Sequence, residues 1–275
     1  MMGDPVGFLN IDVEAAEHWL LAFGLSVARP TAMLTVTPAF TRVEFTAFLR
    51  GAVASALALP MVPVIAFGLQ RQGWSALGLV VLTGKEALIG FVLGLLLGAP
   101  FWALNIAGDL LDAQRGATQG RINDPAGFGD VSITGTLLVM AALALFVVTG
   151  GLDTLTDLLY RSWAIWKPLG SFPQLDARTP DLLLSFLDRI TRQGLTLALP
   201  PIMAMLLADA GLLIVARLAS QLRIDDLALS LRNIVFLVFL PLYALFLIGF
   251  IRQDLGTLPS LMDLLRDAAP AGAAP

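Results

Sequence analysis

Few side chains in this sequence have the chemistry to act on another molecule, and most of those are carboxylates. Asp109 and Asp112 stand three residues apart, which puts them on one face of a helix. Paired carboxylates can share general acid–base work, but no nucleophile or metal ligand accompanies these two, so catalysis does not follow. Glu86 directly follows Lys85. Adjacent helical positions point about 100° apart, so this pair does not simply neutralise itself. Asp209, Leu213 and Arg217 recur at i, i+4 and i+8. On that drifting stripe Asp209 is open to two roles, a proton relay or an ion pair or hydrogen bond with a neighbouring helix.

The rest of the reactive inventory is sparse. His18, beside Trp19, is the single histidine, and there are no cysteines. Disulfide scaffolds, thiolate zinc sites, iron–sulfur clusters and His-pair zinc proteases are thereby excluded, and no cofactor or metal is implied. Gly116, Gly120, Gly127 and Gly129, with Asp124-Pro125 among them, make a flexible loop, but no Gly-Lys-Ser/Thr follows to make it a phosphate loop. A net charge of −4 argues against nucleic acid, which needs concentrated Lys and Arg.

Composition identifies the solvent that must surround these charges. Of the 275 residues 57% are hydrophobic and 14% charged, and the mean hydropathy is +0.81. A soluble fold with so few charges would leave much apolar surface in water, so membrane lipid is an expected partner. Crossing about 30 Å of hydrocarbon takes about 20 apolar residues in helical form. Four charge-free runs approach or exceed that length: Gly51–Gln70, Ala87–Gly108, Val131–Leu152 and Asn233–Ile251. Pro60 and Pro63 must bend the first or end its helix. Trp19–Phe40, interrupted by Arg29-Pro30, and Gln193–Ala216, with Pro200-Pro201 and Asp209, are weaker candidates, and Gly73–Gly84 is a possible extra apolar turn. Asp153–Trp166 reads as an amphipathic helix, Thr179-Pro180-Asp181 as a helix start, and the tail from Ala268 as frayed. The acidic first residues lack a basic n-region, so targeting is expected to come from the spans. Lys and Arg are too evenly spread among the connections to set an orientation. The expected fold is an all-α, multi-pass membrane protein with kinked and interrupted helices.

Buried charge in lipid costs several kcal/mol, so Arg29, Lys85, Glu86, Asp209 and Arg217 should face protein or water. Glu86 heads the stripe Gly90, Gly94 and Gly98, whose four-residue spacing lets another backbone approach closely. That stripe fits a generic seam of a membrane bundle or a specific contact with another subunit. Pro100 beyond it should kink the helix.

In order along the chain, these joints resemble the SctT/FliR family of type III secretion export-apparatus proteins. The resemblance is carried by Arg29-Pro30, Pro38, Arg50 and Pro60; by Lys85-Glu86 with its glycine seam; and by Gly108-Asp109-Leu110-Leu111-Asp112-Ala113-Gln114-Arg115-Gly116. It continues through Asp124-Pro125, Gly150-Gly151-Leu152, Leu199-Pro200 and Ala208-Asp209 to Arg217 and Gln221, so that it spans about residues 25–250. Asp112-Ala113-Gln114-Arg115-Gly116 and Gly150-Gly151-Leu152 look more like the injectisome SctT branch than flagellar FliR. Ala219, where the family often has Pro, and Arg232, where Lys is common, depart from the pattern.

The resemblance implies a gate in the bacterial inner membrane, not an enzyme. Such proteins assemble with small SctR and SctS subunits into a cone-like complex, SctU wraps its base, and unfolded exported proteins pass through the centre. In that reading residues 1–275 form one membrane-embedded domain, and Glu86, Gly90, Gly94 and Gly98 pack against other subunits. The loop from Arg115 and Gly116 to Asp130 plugs the channel with Ile122 and Phe128, while Arg29, Asp109, Asp112, Asp209 and Arg217 are buried structural polar groups. The alternative is a secondary transporter or ion channel using Glu86 and Asp209; internal repeats would favour it, and none is visible.

Overall fold

A computed structural model of the chain describes residues 6–41, 46–71, 73–116, 132–172, 179–218 and 224–267. These residues form α1 (Val6–Val36), α2 (Pro38–Thr41), α3 (Ala47–Ala58), α4 (Val62–Arg71), α5 (Ala76–Arg115), α6 (Ile133–Val148), α7 (Gly151–Ile165), α8 (Thr179–Leu218) and α9 (Ile224–Asp267). No strand occurs among the described residues. Among the described residues five segments are long and apolar enough to cross a membrane: Ala16–Val36, Ala47–Arg71, Ala76–Arg115, Leu184–Leu218 and Leu227–Ile251. The bent pair α6 and α7, counted as one span, makes a sixth. The chain is an all-α, multi-pass membrane protein.

Helix boundaries follow from capping and from the treatment of proline. Thr46 caps α3 by accepting from Leu49 N, and Pro60 sits in a single 3-10 turn (Leu59–Met61) that joins α3 to α4. Four other prolines do not break their helices. Pro30 lies inside α1, Pro100 inside α5, and Pro200-Pro201 inside α8. The expected interruptions at Arg29-Pro30 and Pro200-Pro201 are thus uninterrupted helix, and Gly73–Gly84 largely becomes the first turns of α5. A proline frees one carbonyl, whereas a break in lipid would leave several backbone groups without partners, so continuity is the cheaper solution.

The opposite error occurs at Val131–Leu152. There α6 stops at Val148, where Thr149 N donates to Leu145 O and Gly150 takes a φ of +82°, a left-handed conformation that favours glycine. The expected amphipathic helix follows as α7, with Leu155, Leu158, Leu159 and Trp163 buried and Trp166 half-buried just beyond its end.

Contacts gather the helices into two compact units. One comprises Met1–Gly98, Leu152–Asp176 and Pro259–Pro275, the other Ala99–Gly151 and Ala177–Leu258. In the first, α1 and α4 build a core of Ala22, Leu25, Val62, Ile65, Ala66 and Leu69, joined by Leu82 of α5. In the second, Phe101 of α5 meets Phe146 of α6 edge-on, 5.8 Å between ring centroids. Gly194 of α8 lies against Ile106 and the carbonyl of Ala103.

In its most apolar stretch α5 is 61% buried, against 17% for α8 and 22% for α9. Of these helices α5 is thus the most buried, while α8 and α9 turn apolar side chains such as Leu207, Leu213, Leu237 and Leu245 outward. Exposed threonines stay compatible with lipid by donating to the carbonyl one turn back, as Thr35 does to Thr31, Thr83 to Leu79 and Thr196 to Arg192.

Glycines on α5 separate sharply by what a side chain would meet. A Cβ at Gly90 would run into the carbonyl of Arg29, and one at Gly108 into the backbone of Gly135, whereas Gly84 has nothing within 4 Å. Gly90→Ala and Gly108→Ala should each lower stability in detergent by about 1–3 kcal/mol or more, as overpacking does. Gly84→Ala should be neutral or stabilising by up to about 1 kcal/mol, since alanine is the better helix former. Thermal unfolding of the three variants checks this, and an equal loss for all three would refute the packing assigned to α5.

Candidate functional site

Most of the charged residues singled out by sequence, Arg217 excepted, fall into three polar joints among the described residues, two of them anchored on α5. The first is buried in the unit that contains α1 and α7. Gly90 and Gly94 lack side chains where Arg29 and Met33 of α1 approach, so α1 lies close against α5. That proximity brings the Arg29 guanidinium, one residue before Pro30, to Glu86. Arg29 donates to Glu86 Oε1 at 2.9 Å, to Ser162 Oγ at 2.9 Å and to the carbonyl of Trp166 at 3.0 Å. Its Nε lies 2.8 Å from Glu86 Oε2 as an ion-pair contact, its N–H pointing too far aside for a hydrogen bond. Trp163 Nε1 donates to the same Oε2 at 3.3 Å, and the guanidinium carbon stands 5.5 Å from the Trp163 ring centroid. Arg29 and Glu86 have no exposed side-chain surface.

Lys85 completes this joint from an unexpected direction. Its ammonium is 3.5 Å from Glu86 Oε1, so the adjacent pair does touch. Its hydrogen bonds, however, go to the carbonyls of Lys167, Pro168 and Gly170 at 2.8, 2.7 and 3.1 Å. The glycine stripe was assigned by resemblance to packing against other subunits. At Gly90 and Gly94 the seam is filled by α1 of the same chain, and Glu86 by Arg29 of α1. Four-residue glycine spacing reports that a backbone approaches, but not whose it is. Gly98, on the same stripe, is buried.

The second joint lies in the other unit, where Asp112 of α5 meets the start of α6. Its carboxylate accepts from Ser132 Oγ at 2.7 Å, from Thr134 N at 3.0 Å, and from Thr134 Oγ1 and Arg115. Ser132 is itself the N-cap of α6, accepting from Gly135 N at 2.8 Å. A carboxylate beside the positive end of a helix is favourable, so Asp112 caps α6 from outside. The contact of Gly108 with Gly135 makes room for this arrangement. Asp109, on the same face, accepts from Asn105 Nδ2 at 3.3 Å and is half-buried. Arg115 also stacks over Phe236 at 4.2 Å, and Gly116 ends α5 with a φ of +72°.

The third joint ties α8 to α9. Asp209 holds Arg232 through Nε at 2.8 and 2.9 Å, and Arg232 also donates to the carbonyl of Gln114. Arg217, expected to be buried, is instead exposed in the last turn of α8, among the exposed Leu213, Ile214 and Leu218. At a span's end a long Arg side chain reaches water while its stem stays on apolar surface, so burial is not required. Ile122 and Phe128 lie outside the described residues.

Several partners gave no sign of their role in the sequence. Trp163 and Trp166 are apolar positions of the amphipathic stretch 153–166, and Ser162, Ser132 and Thr134 carry no charge that would single them out. The one available signal was unpaired charge: each buried ion required donors or acceptors somewhere, and helix termini are where spare ones exist. Among the described residues no group of three or more His, Asp or Glu could hold a metal ion. What these joints can do is hold helix ends in register.

If so, Glu86→Leu should cost about 3–5 kcal/mol because Arg29 is left buried without its counter-charge. Glu86→Asp should be milder than Glu86→Leu, and the double variant Arg29→Met/Glu86→Leu should be less damaged than the sum of its single changes. Thermal unfolding in detergent of the wild type, Arg29→Met, Glu86→Leu, Glu86→Asp and the double variant measures this; strictly additive losses would mean that the two side chains share no interaction.

Comparison with known proteins places this sequence in a family. Residues 20–258 match the family described as bacterial export proteins, family 1. Over 230 residues the chain is 29% identical to Yop proteins translocation protein T of Yersinia pestis, covering 82% of this chain and 87% of that protein. It is 30% identical over 233 residues to secretion system apparatus protein SsaT of Salmonella typhimurium, with the same coverage of 82% and 87%. Against flagellar biosynthetic protein FliR of Escherichia coli the identity is 27% over 224 residues, covering 78% and 81%. The family match encloses all three joints, and the chain belongs to the bacterial export proteins of family 1, the SctT/FliR family, nearer its injectisome members than its flagellar ones.

Proposed function

We propose that this chain is a core component of the type III secretion export gate in the bacterial inner membrane. With SctR- and SctS-like subunits, and a SctU-like subunit at the base, it forms the channel through which unfolded proteins are exported. The observation that carries this reading is the family match over residues 20–258, which takes in nearly every helix of the chain. The similarity to proteins named for translocation and for a secretion apparatus supports it.

The polar joints agree with a structural rather than a catalytic role. A transporter would need Glu86 and Asp209 available to an ion or proton, yet Glu86 is engaged by Arg29 and Trp163 and Asp209 by Arg232. The outward apolar faces of α8 and α9 offer the surface on which other membrane helices can pack. The whole chain, residues 1–275, acts in this reading as a single component. The segment from Arg115 and Gly116 through Ile122 and Phe128 serves as its plug, rooted where Asp112 and Phe236 hold Arg115.

Native mass spectrometry of the detergent-extracted, tagged protein, expressed with its genomic neighbours, tests the assignment. One copy of this chain with several copies of two small hydrophobic subunits is the expected result. A lone monomer or homodimer, with those neighbours expressed and folded, would overturn it in favour of the transporter reading.

A further inference from the structure

The turn that follows α7 is held by cations from other helices. Its own backbone contributes the bonds from Trp166 N to Ser162 O at 2.8 Å and from Gly170 N to Lys167 O at 3.0 Å. The carbonyl of Trp166 is taken by Arg29, and those of Lys167, Pro168 and Gly170 converge on the single ammonium of Lys85. Two buried cations thus face one carboxylate. Arg29 already meets both oxygens of Glu86, and Trp163 adds a donor, while Lys85 stands off at 3.5 Å. The surplus positive charge is met by the carbonyls of the turn that follows α7, near the negative end of that helix's dipole.

We propose that the turn 167–170 is a built binding site for a primary ammonium group, with Lys85 as its tethered occupant, and that Lys85 serves this clasp rather than the neutralisation of Glu86. Three carbonyl oxygens within 2.7–3.1 Å of one nitrogen match the three N–H donors of an alkylammonium. A planar guanidinium spreads its donors in a fork and cannot converge on that cradle, so arginine is not an equivalent occupant. An apolar residue at position 85 would leave Glu86 paired to Arg29 but strip three carbonyls of their shared donor.

Hydrogen exchange of the segment 166–172, read in the full chain extracted with its neighbouring subunits, tests the clasp. In Lys85→Met exchange there should rise by about tenfold or more, the scale of losing hydrogen bonds to a charged group, while the helical turns around Arg29 and Glu86 keep their protection. Lys85→Arg should not restore it. In Lys85→Ala, added n-propylammonium should restore protection and tetramethylammonium, which has the charge but no N–H, should not. If Lys85→Met fails to fold, the yield of folded Lys85→Ala with and without n-propylammonium becomes the readout. Unchanged exchange in Lys85→Met, full protection in Lys85→Arg, loosening of the Arg29–Glu86 region to the same degree as the turn, or equal rescue by the two cations or by neither would each overturn the proposal.

Discussion

Inside a membrane the ends of helices are the hardest part of the fold to satisfy, because their free N–H and C=O groups have no water to turn to. This chain answers that constraint largely from α5. Toward its N-terminal part α5 presents Lys85 to the carbonyls that follow α7, and toward its C-terminal end it presents Asp112 to the donors that open α6. The signs are those that helix dipoles require, a cation at a C-terminus and an anion at an N-terminus. The apolar helix α6 and the amphipathic helix α7 are separated only by Thr149 and Gly150. Buried charge, costly in isolation, here replaces solvent for backbone groups that would otherwise be orphaned.

Close packing and charge depend on one another in the same way. Without a side chain at Gly90, the carbonyl of Arg29 can sit against α5, and only from there can the guanidinium reach Glu86, one helical turn away, together with Ser162 and Trp166. Gly108 plays the same part beside Asp112, its contact with the backbone of Gly135 setting the distance at which Ser132 and Thr134 reach the carboxylate. Each glycine contact is thus a spacer for an electrostatic joint, and a side chain at either position would disturb two kinds of interaction together.

Much of the fold was legible because hydropathy and length decide membrane spans almost alone. Ala87–Gly108 and Asn233–Ile251 lie inside α5 and α9, and the spaced apolar residues of 153–166 mark α7. Legibility failed where hydropathy is silent. The stop of α6 at Val148 rests on the left-handed conformation of Gly150, which leaves no trace in an average over apolar residues. Pro30, Pro200 and Pro201 suggest breaks but lie inside continuous helices, since proline rules drawn from water overstate the gain from interrupting a helix in lipid. At the site, the need for partners at Glu86 and Asp112 could be read, but their identities could not. Arg29 lies 57 residues from Glu86, and Thr134 lies 22 from Asp112, separations that only the packing of helices closes. Arg217 failed for a different reason: sequence position does not say on which side of a span's boundary a long side chain comes to rest.

The persistence of ionic joints in so apolar a chain needs a reason other than strength, because a well-packed apolar pair is often as stable as a buried ion pair. Register is that reason. The helices α1 and α5 present leucine, alanine, valine and glycine in long, repetitive faces that would pack tolerably in several offsets. Because glycine recurs at 90, 94 and 98, a slip of one turn, about 5.4 Å, can still set glycine under α1. It would, however, carry Arg29 away from Glu86, Ser162 and the carbonyl of Trp166 at once. Each charge so stranded in a medium without water costs several kcal/mol, far more than mismatched methyl groups. The ion pair therefore acts less by lowering the energy of the native packing than by raising that of its near neighbours. That discrimination is what purely apolar helices cannot supply.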